Sequence, residues 1–342
     1  MKKHIYIYSP SGAVRNKAAF KRGVARLKGL GYEVEIDEAA LKSHMRFAGD
    51  DETRIAAITR AAASGADVAL ISRGGYGLTR LLGQLPYKAL AKAVEKGTQF
   101  VGLSDFTALQ AAMLAKTGTV SWAGPALGED FGVEEGAPDD IMEACFDDLT
   151  SGSGEGTGWR IGAGDVAADT VLAASAAKNK ENKEKKGADF YLKNAILWGG
   201  NLSVLVSLVG TPYFPEIKGG VLFLEDVNEH PYRIERMLTQ LLHAGVLGRQ
   251  KAIVLGQFTA YAKVPHDGNF RLATVVDWLR AQTKAPVLTN LPFGHVPTKV
   301  LLPVGAEVEL AVEGRDALMF WGHVGHSTAH GHGHAHHGHH HH

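Results

Sequence analysis

Between Ile5 and Ala123 the chain repeats one pattern: a short apolar run, a turn rich in glycine or polar residues, then a stretch with apolar residues at helical spacing. Ile5–Tyr8, Glu33–Ile36, Val68–Ser72, Phe100–Leu103 and Val120–Ala123 read as strands; Ala18–Leu30, Glu52–Ala63, Tyr87–Glu95 and Asp105–Lys116 read as helices. Apolar strands alternating with amphipathic helices predict an α/β fold, a parallel sheet with helices on both faces. Ligands of such sheets sit beyond the carboxyl ends of the strands. Two loops occupy that rim, Arg73–Gly77 and Gly102–Asp105.

The pattern changes after residue 125. An acidic stretch leads into Ser151–Gly158, rich in Gly and Ser, which reads as a linker. At 342 residues the chain is long enough for two domains, expected at 1–150 and 151–322. In the second, Leu197–Val204 opens a helix, Val221–Leu224 and Ala252–Gly256 read as strands, and Tyr232–Ala244 and Leu272–Gln282 as helices. Val287–Asn290, Leu301–Pro303, Val308–Val312 and Ala317–Phe320 add strands, so this half is mixed α/β and more antiparallel towards its end. The Lys-rich stretch at 178–186 carries Glu181 and Glu184 among its lysines, which reads as a solvated loop rather than a nucleic-acid patch. Residues 323–342 hold eleven of the seventeen histidines. They read as a disordered tail, native or an expression tag, outside any packed site.

Lys+Arg and Asp+Glu are equal at 36 each, so no general polyanion-binding surface is expected and neither nucleic acid nor membrane is a predicted partner. The single cysteine, Cys145, excludes an intrachain disulfide and reads as a small buried hydrophobe. With no apolar run of membrane-spanning length, a cytoplasmic location is expected.

Ser104 follows an apolar strand and Gly102 and precedes a helix, the setting of a nucleophile elbow. The pattern is incomplete, since Phe106 stands where a second glycine belongs, and a serine there is equally a helix N-cap. The Asp105 N–H opens the same helix. The glycines at 74, 75 and 77 offer backbone N–H groups to an oxyanion, or simply a turn. A serine nucleophile needs a base oriented by a carboxylate. Of the histidines before the tail, His295 in Asn290–Pro297 is best placed, with His230 second. Glu225 and Asp226, at the end of an apolar strand, are the acids at the ligand-facing rim.

Taken in order, Ser72–Gly77, Gly102–Asp105, Gly199–Ser203, Leu222–Asp226 with Tyr232–Arg236, Gly256–Phe258 and Leu291–Val296 resemble the LD-carboxypeptidase (muramoyltetrapeptide carboxypeptidase) family over residues 4 to 322. The resemblance implies a Rossmann-like N-terminal domain and a C-terminal domain with a β-rich, barrel-like part. It implies Ser104 as nucleophile, His295 as base and Glu225 as orienting acid, with the N–H groups of Asp105 and Gly75 as oxyanion hole. It also implies a metal-free, cofactor-free homodimer that removes terminal D-Ala from muropeptide tetrapeptides in peptidoglycan recycling. Arg73, Tyr76, Trp198 and Asn201 are the candidates for substrate contact. The microcin C self-immunity proteins resemble the same family and cleave acyl-sulfamoyl adenylates; Trp198 is the candidate platform for their adenine. A non-catalytic ligand-binding α/β protein and a metal-handling role for the tail are the readings from other classes.

Overall fold

The computed structural model describes residues 1–167 and 188–324. The Lys-rich stretch at 178–186 and residues 325–342 of the tail lie outside them.

Strands β1 (His4–Tyr8), β2 (Glu33–Ile36), β3 (Val68–Ile71), β4 (Gln99–Gly102) and β5 (Ser121–Ala123) form a parallel sheet in the order β5-β4-β3-β1-β2. Helices α1 (Lys17–Gly29), α2 (Asp51–Ala63), α3 (Tyr87–Glu95) and α4 (Phe106–Thr117) alternate with them. Both faces of β1, β3 and β4 are covered, as their apolar runs required, while the edge strand β2 stays largely exposed. Side chains alternate across a strand. Thus Ile5 and Ile7 pack with Phe20, Leu27 and Phe146 in one core, while Tyr6 and Tyr8 enter a second core with Ile58, Leu90 and Leu109. Helix starts follow local chemistry: Asn16 and Asp50 cap α1 and α2 by accepting from the Ala19 and Thr53 amides.

Helix α5 (Asp140–Ser151) ends the first half and β6 (Gly156–Arg160) begins the second. This strand begins within the stretch expected to be a linker. As an edge strand it tolerates its glycines, and Trp159 anchors it by donating to the Thr289 carbonyl at 3.1 Å. After α6 (Ala163–Ala167) come β7 (Phe190–Asn201), α7 (Leu202–Ser207), β8 (Val221–Val227), α8 (Pro231–His243), β9 (Ala252–Thr259), α9 (Leu272–Gln282) and β10 (Val287–Leu288). The chain closes with β11 (Leu302–Val304), β12 (Glu307–Glu313) and β13 (Asp316–Phe320). The second sheet has the order β10-β9-β8-β7-β12-β13-β6, parallel from β10 to β7 and antiparallel beyond. It stays open between its β10 and β6 edges, so the barrel-like part expected from the resemblance is an open mixed sheet.

The exception to this division is β11. It leaves the second half and pairs antiparallel with β5 at the edge of the first sheet. The segment before it is tied to both halves. On one side Gln257 N–H donates to Phe293 O and Leu291 N–H to Leu255 O. On the other, Thr298 Oγ1 donates to Asp139 Oδ2 at 2.6 Å, and Lys299 Nζ pairs with Asp130 Oδ1 at 2.9 Å. Side-chain exposures of 1% and 3% put that ion pair out of water. Removing one partner strands a buried charge, so Lys299→Met should cost about 3–5 kcal/mol. Chemical denaturation should show that loss, and K299M/D130L should recover most of it.

Candidate active site

Ser104 sits between β4 and α4 with φ of +64°, in the left-handed region that non-glycine residues rarely occupy. Such a conformation costs on the order of 1–3 kcal/mol and persists only where the surroundings impose it. Helix capping does not account for it: the N-cap position falls on Asp105, and no side chain caps the helix there. Two close approaches impose the turn. A Cβ on Gly102 would lie 2.7 Å from Phe106 Cδ1, so the buried Phe106 ring packs directly against the strand end. This shows how the elbow accepts Phe106 in place of a second glycine: the opposing strand residue lacks the side chain instead. A Cβ on Gly74 would lie 2.8 Å from Ser104 Cβ and 3.0 Å from Oγ, so the glycine loop after β3 lies over the hydroxyl.

The Asp105 side chain holds the neighbouring loops together. Its buried Oδ2 accepts from Ser11 Oγ at 2.7 Å, in the loop after β1, and from Leu78 N–H at 3.0 Å, after the glycine loop. Burial pushes its pKa up, opposed by these hydrogen bonds and the charge of Arg54. Arg54 is fully buried and donates to Pro10 O at 3.1 Å. Sequence reading used only the Asp105 amide. It missed this carboxylate, Ser11 and Arg54; the available signal was Ser9–Gly12, which ends a strand on the same rim.

Glu225, with no solvent exposure, accepts from or shares a proton with His295 Nδ1 at 2.8 Å through Oε2. Its Oε1 accepts from Asn201 Nδ2 at 3.2 Å. Asp226 turns elsewhere, accepting from Asn201 Nδ2 through Oδ1 at 3.1 Å and from Ser203 N–H through Oδ2 at 2.9 Å. Adjacent strand residues normally face opposite ways, but a register shift between Leu224 and Asp226 brings both carboxylates to Asn201. The choice between Glu225 and Asp226, open in the sequence, is thus decided by this bulge. His230 is no rival: it stacks on Tyr232 and its Nδ1 stands 3.9 Å from Asp267.

Burial of His295 would lower its pKa, but the hydrogen bond and charge of Glu225, joined by the charge of Glu129, outweigh that and leave it raised. With Nδ1 on Glu225, Nε2 is the ring nitrogen free to exchange a proton. The elbow and this pair meet through Thr107, one turn beyond Ser104, whose Oγ1 accepts from Asn201 N–H at 3.0 Å. Gly200 makes that approach possible, since a Cβ there would lie 2.8 Å from Thr107 Oγ1.

Two candidate substrate contacts are corrected. Trp198 is 1% exposed, donates from Nε1 to Gln250 Oε1 at 2.9 Å and packs edge-on against Phe214, so it is a core residue and no platform for a base. Asn201 is buried, and its amide group serves Glu225, Asp226 and the start of α7, so it positions the acids rather than gripping a ligand. Arg73 is half-buried and donates to Ala13 O at 2.9 Å, lining a cavity beside the elbow. Tyr76 is exposed and leans on Phe47. Among the described residues no cluster of His, Cys, Asp and Glu could hold a metal ion, and no helix is long and apolar enough to cross a membrane.

The family model for the LD-carboxypeptidase N-terminal domain matches residues 5–124, and that for the C-terminal domain residues 194–310. The crystal structure of a muramoyltetrapeptide carboxypeptidase from Oxalobacter formigenes is 36% identical and superimposes with a TM-score of 0.78, covering 94% of this chain and 99% of the other. This chain belongs to the LD-carboxypeptidase family. A Bacillus subtilis family relative named probable murein peptide carboxypeptidase is 27% identical over 86% of this chain and 84% of its own. The Escherichia coli microcin C7 self-immunity protein MccF is 26% identical over 89% and 88%. A solved MccF structure, 22% identical, also superimposes with a TM-score of 0.78, so backbone likeness does not separate carboxypeptidases from immunity proteins within this fold.

Two outcomes are expected for this LD-carboxypeptidase-family site. The His295 imidazole, followed by NMR with His295→Gln as the assignment control, should lose its proton above the ordinary value of about 6.5, and Glu225→Gln should bring that value down. By linkage, the pair's contribution to stability is full below the unfolded imidazole's pKa and lost as pH rises through the folded one. Gly74→Ala should displace Ser104 and slow its labelling by a fluorophosphonate by about tenfold or more, each 1.4 kcal/mol of barrier being tenfold; unchanged labelling would contradict the close approach.

Proposed function

We propose that this chain is a serine-type LD-carboxypeptidase with Ser104 as nucleophile, His295 as general base and Glu225 as the acid that orients it. The single observation that carries the reading is the left-handed Ser104 at a strand-to-helix turn in a molecule that also holds His295 on the buried Glu225 carboxylate at 2.8 Å. A serine hydroxyl is a poor nucleophile until a base takes its proton. His295 Nε2 removes it as Oγ attacks the carbonyl on the L-side of a terminal D-amino acid. The imidazolium then protonates the leaving amine, D-Ala departs, and water repeats the sequence on the acyl-enzyme. Glu225 holds the imidazole's tautomer and offsets its charge in the cation.

The oxyanion would be met by the Asp105 and Gly75 amides. Gly12 N–H donates to Gly74 O at 3.1 Å, which fixes the plane of the peptide shared with Gly75. In a trans peptide the Gly75 N–H then points away from Gly12. A Cβ on Gly74 would be 3.7 Å from the Asp105 nitrogen as well as 3.0 Å from Ser104 Oγ, so the hydroxyl and that amide border one space. Losing one oxyanion donor typically costs about 10²–10³ in rate.

A muropeptide tetrapeptide is favoured as substrate by the names of the Oxalobacter formigenes and Bacillus subtilis relatives. The burial of Trp198 removes the aromatic that an adenylate reading would have used. The same reading makes the enzyme a metal-free cytoplasmic homodimer of muropeptide recycling. Incubation with L-Ala-D-Glu-diaminopimelate-D-Ala in the presence of chelator should release D-Ala, and Ser104→Ala should abolish release. Undiminished release by that variant would sink the mechanism. No release by the wild type, with cleavage of an aminoacyl-sulfamoyl adenylate instead, would move the chain to the immunity branch.

A further inference from the structure

Helix α2 sends one charged side chain, Arg54, into the interior, where it has no solvent exposure. Its guanidinium lies against the far end of the glycine loop. A Cβ on Gly77 would stand 2.5 Å from Arg54 Nη1 and 2.8 Å from Phe47 Cδ1, and the Phe47 ring centre is 4.7 Å from the cation. Hydrogen bonding does not account for this burial. Arginine carries five N–H donors. Nη1 donates to Pro10 O at 3.1 Å and Nη2 to Asp51 Oδ1 at 3.0 Å, while the buried Nε has no partner among the described residues. Asp51 is partly exposed and also serves Arg80. A buried charge left short of hydrogen bonds costs stability, so stability does not explain why the cation is there.

The buried anion within reach of its field is Asp105, which is 3% exposed and forms no ion pair among the described residues. Three segments meet on that carboxylate. Oδ2 accepts from both Ser11 Oγ and Leu78 N–H, and Gly12, next to Ser11, donates its N–H to Gly74 O. The glycine loop is therefore tied at Gly74 to the loop after β1 and at Leu78 to the residue that follows Ser104, with Gly75 between the two ties. A Cβ on Gly75 would lie 3.2 Å from Gly12 Cα, so the backbones are in contact there as well. One carboxylate oxygen takes two donors readily when ionised, whereas a protonated acid presents a donor of its own and loses acceptor capacity. Burial favours the protonated form of Asp105; its hydrogen bonds and the charge of Arg54 oppose that.

We propose that Arg54 is a positioning residue: its buried charge keeps the Asp105 carboxylate an acceptor for both tied segments, and through them holds the Gly75 amide where the oxyanion forms. The proposal rests on the serine mechanism, in which that amide is a donor. Arg54 itself touches neither substrate nor reacting atoms.

Arg54→Met keeps an unbranched side chain against Phe47 and removes the charge. For D-Ala release from L-Ala-D-Glu-diaminopimelate-D-Ala it should lower kcat by about 10²-fold, the typical cost of one oxyanion donor, and change KM by less than about twofold. Asp105→Asn should lower kcat in the same way. The double variant Arg54→Met/Asp105→Asn, which leaves no unpaired buried charge, should cost no more than the worse single variant, because both substitutions break one link. Labelling by a fluorophosphonate calls on Ser104 and the oxyanion donors but on no peptide. It should slow in the same pattern, and its endpoint counts the folded sites by which each kcat is normalised. Unchanged kcat per labelled site in Arg54→Met, a loss confined to KM, or losses that multiply in the double variant overturn the proposal. Absence of D-Ala release by the wild type instead removes the carboxypeptidase substrate, and the labelling rates of the three variants then decide the role of Arg54 on their own.

Discussion

Lys299 and Asp130 hold opposite charges out of water on two different halves of the molecule. A buried pair of this kind tolerates little displacement, because separating the charges leaves each desolvated and unpaired. The pair lies four residues beyond His295 and one residue beyond Glu129. Together with Thr298 on Asp139 and the pairing of β11 with β5, it ties the histidine-bearing loop to the sheet that carries Ser104. The other end of that loop hydrogen-bonds to β9, beside the strand that carries Glu225. The proposed proton transfer from Ser104 to His295 requires that the two sheets keep their relative position, and this strap supplies that constraint.

Strain and its support are concentrated around Ser104. Ser104 adopts a conformation that an isolated peptide would avoid, and the surrounding loops meet the cost. Phe106 packs on Gly102, and the Asp105 carboxylate draws Ser11 and Leu78 towards the elbow. The side chain that follows Ser104 therefore fastens the segments after β1 and β3 to the end of β4. Around Glu225 the device is a register shift in β8, with Glu225 on the imidazole and Asp226 on Asn201 and Ser203.

The first sheet was legible because its central strands β1, β3 and β4 are short apolar runs and helices α1 to α3 carry apolar stripes, so period distinguishes them. The second sheet was legible in part. β7 was missed, its end at Leu197–Asn201 being read as the opening of a helix, and β6 was hidden in a glycine-rich run, since an edge strand with Gly156 and Gly158 carries no alternation to detect. The burial of Trp198, the candidate platform, follows from packing against Phe214 and Gln250, both distant in sequence.

Local sequence alone determined the parallel α/β layers, the rim loops after β3 and β4, and the residue types able to act there. It did so because helix and strand periods, caps and turns are set by neighbouring residues. Tertiary structure alone decided that Ser104 takes a left-handed turn rather than a capping one, that Glu225 and not Asp226 meets His295, and that Leu302–Val304 returns to the first sheet. Each of these depends on contacts between segments far apart in the chain: Gly74 over Ser104, a register shift between β8 and β9, and charges buried as a pair across the two halves. No window along the sequence contains both partners of any of them.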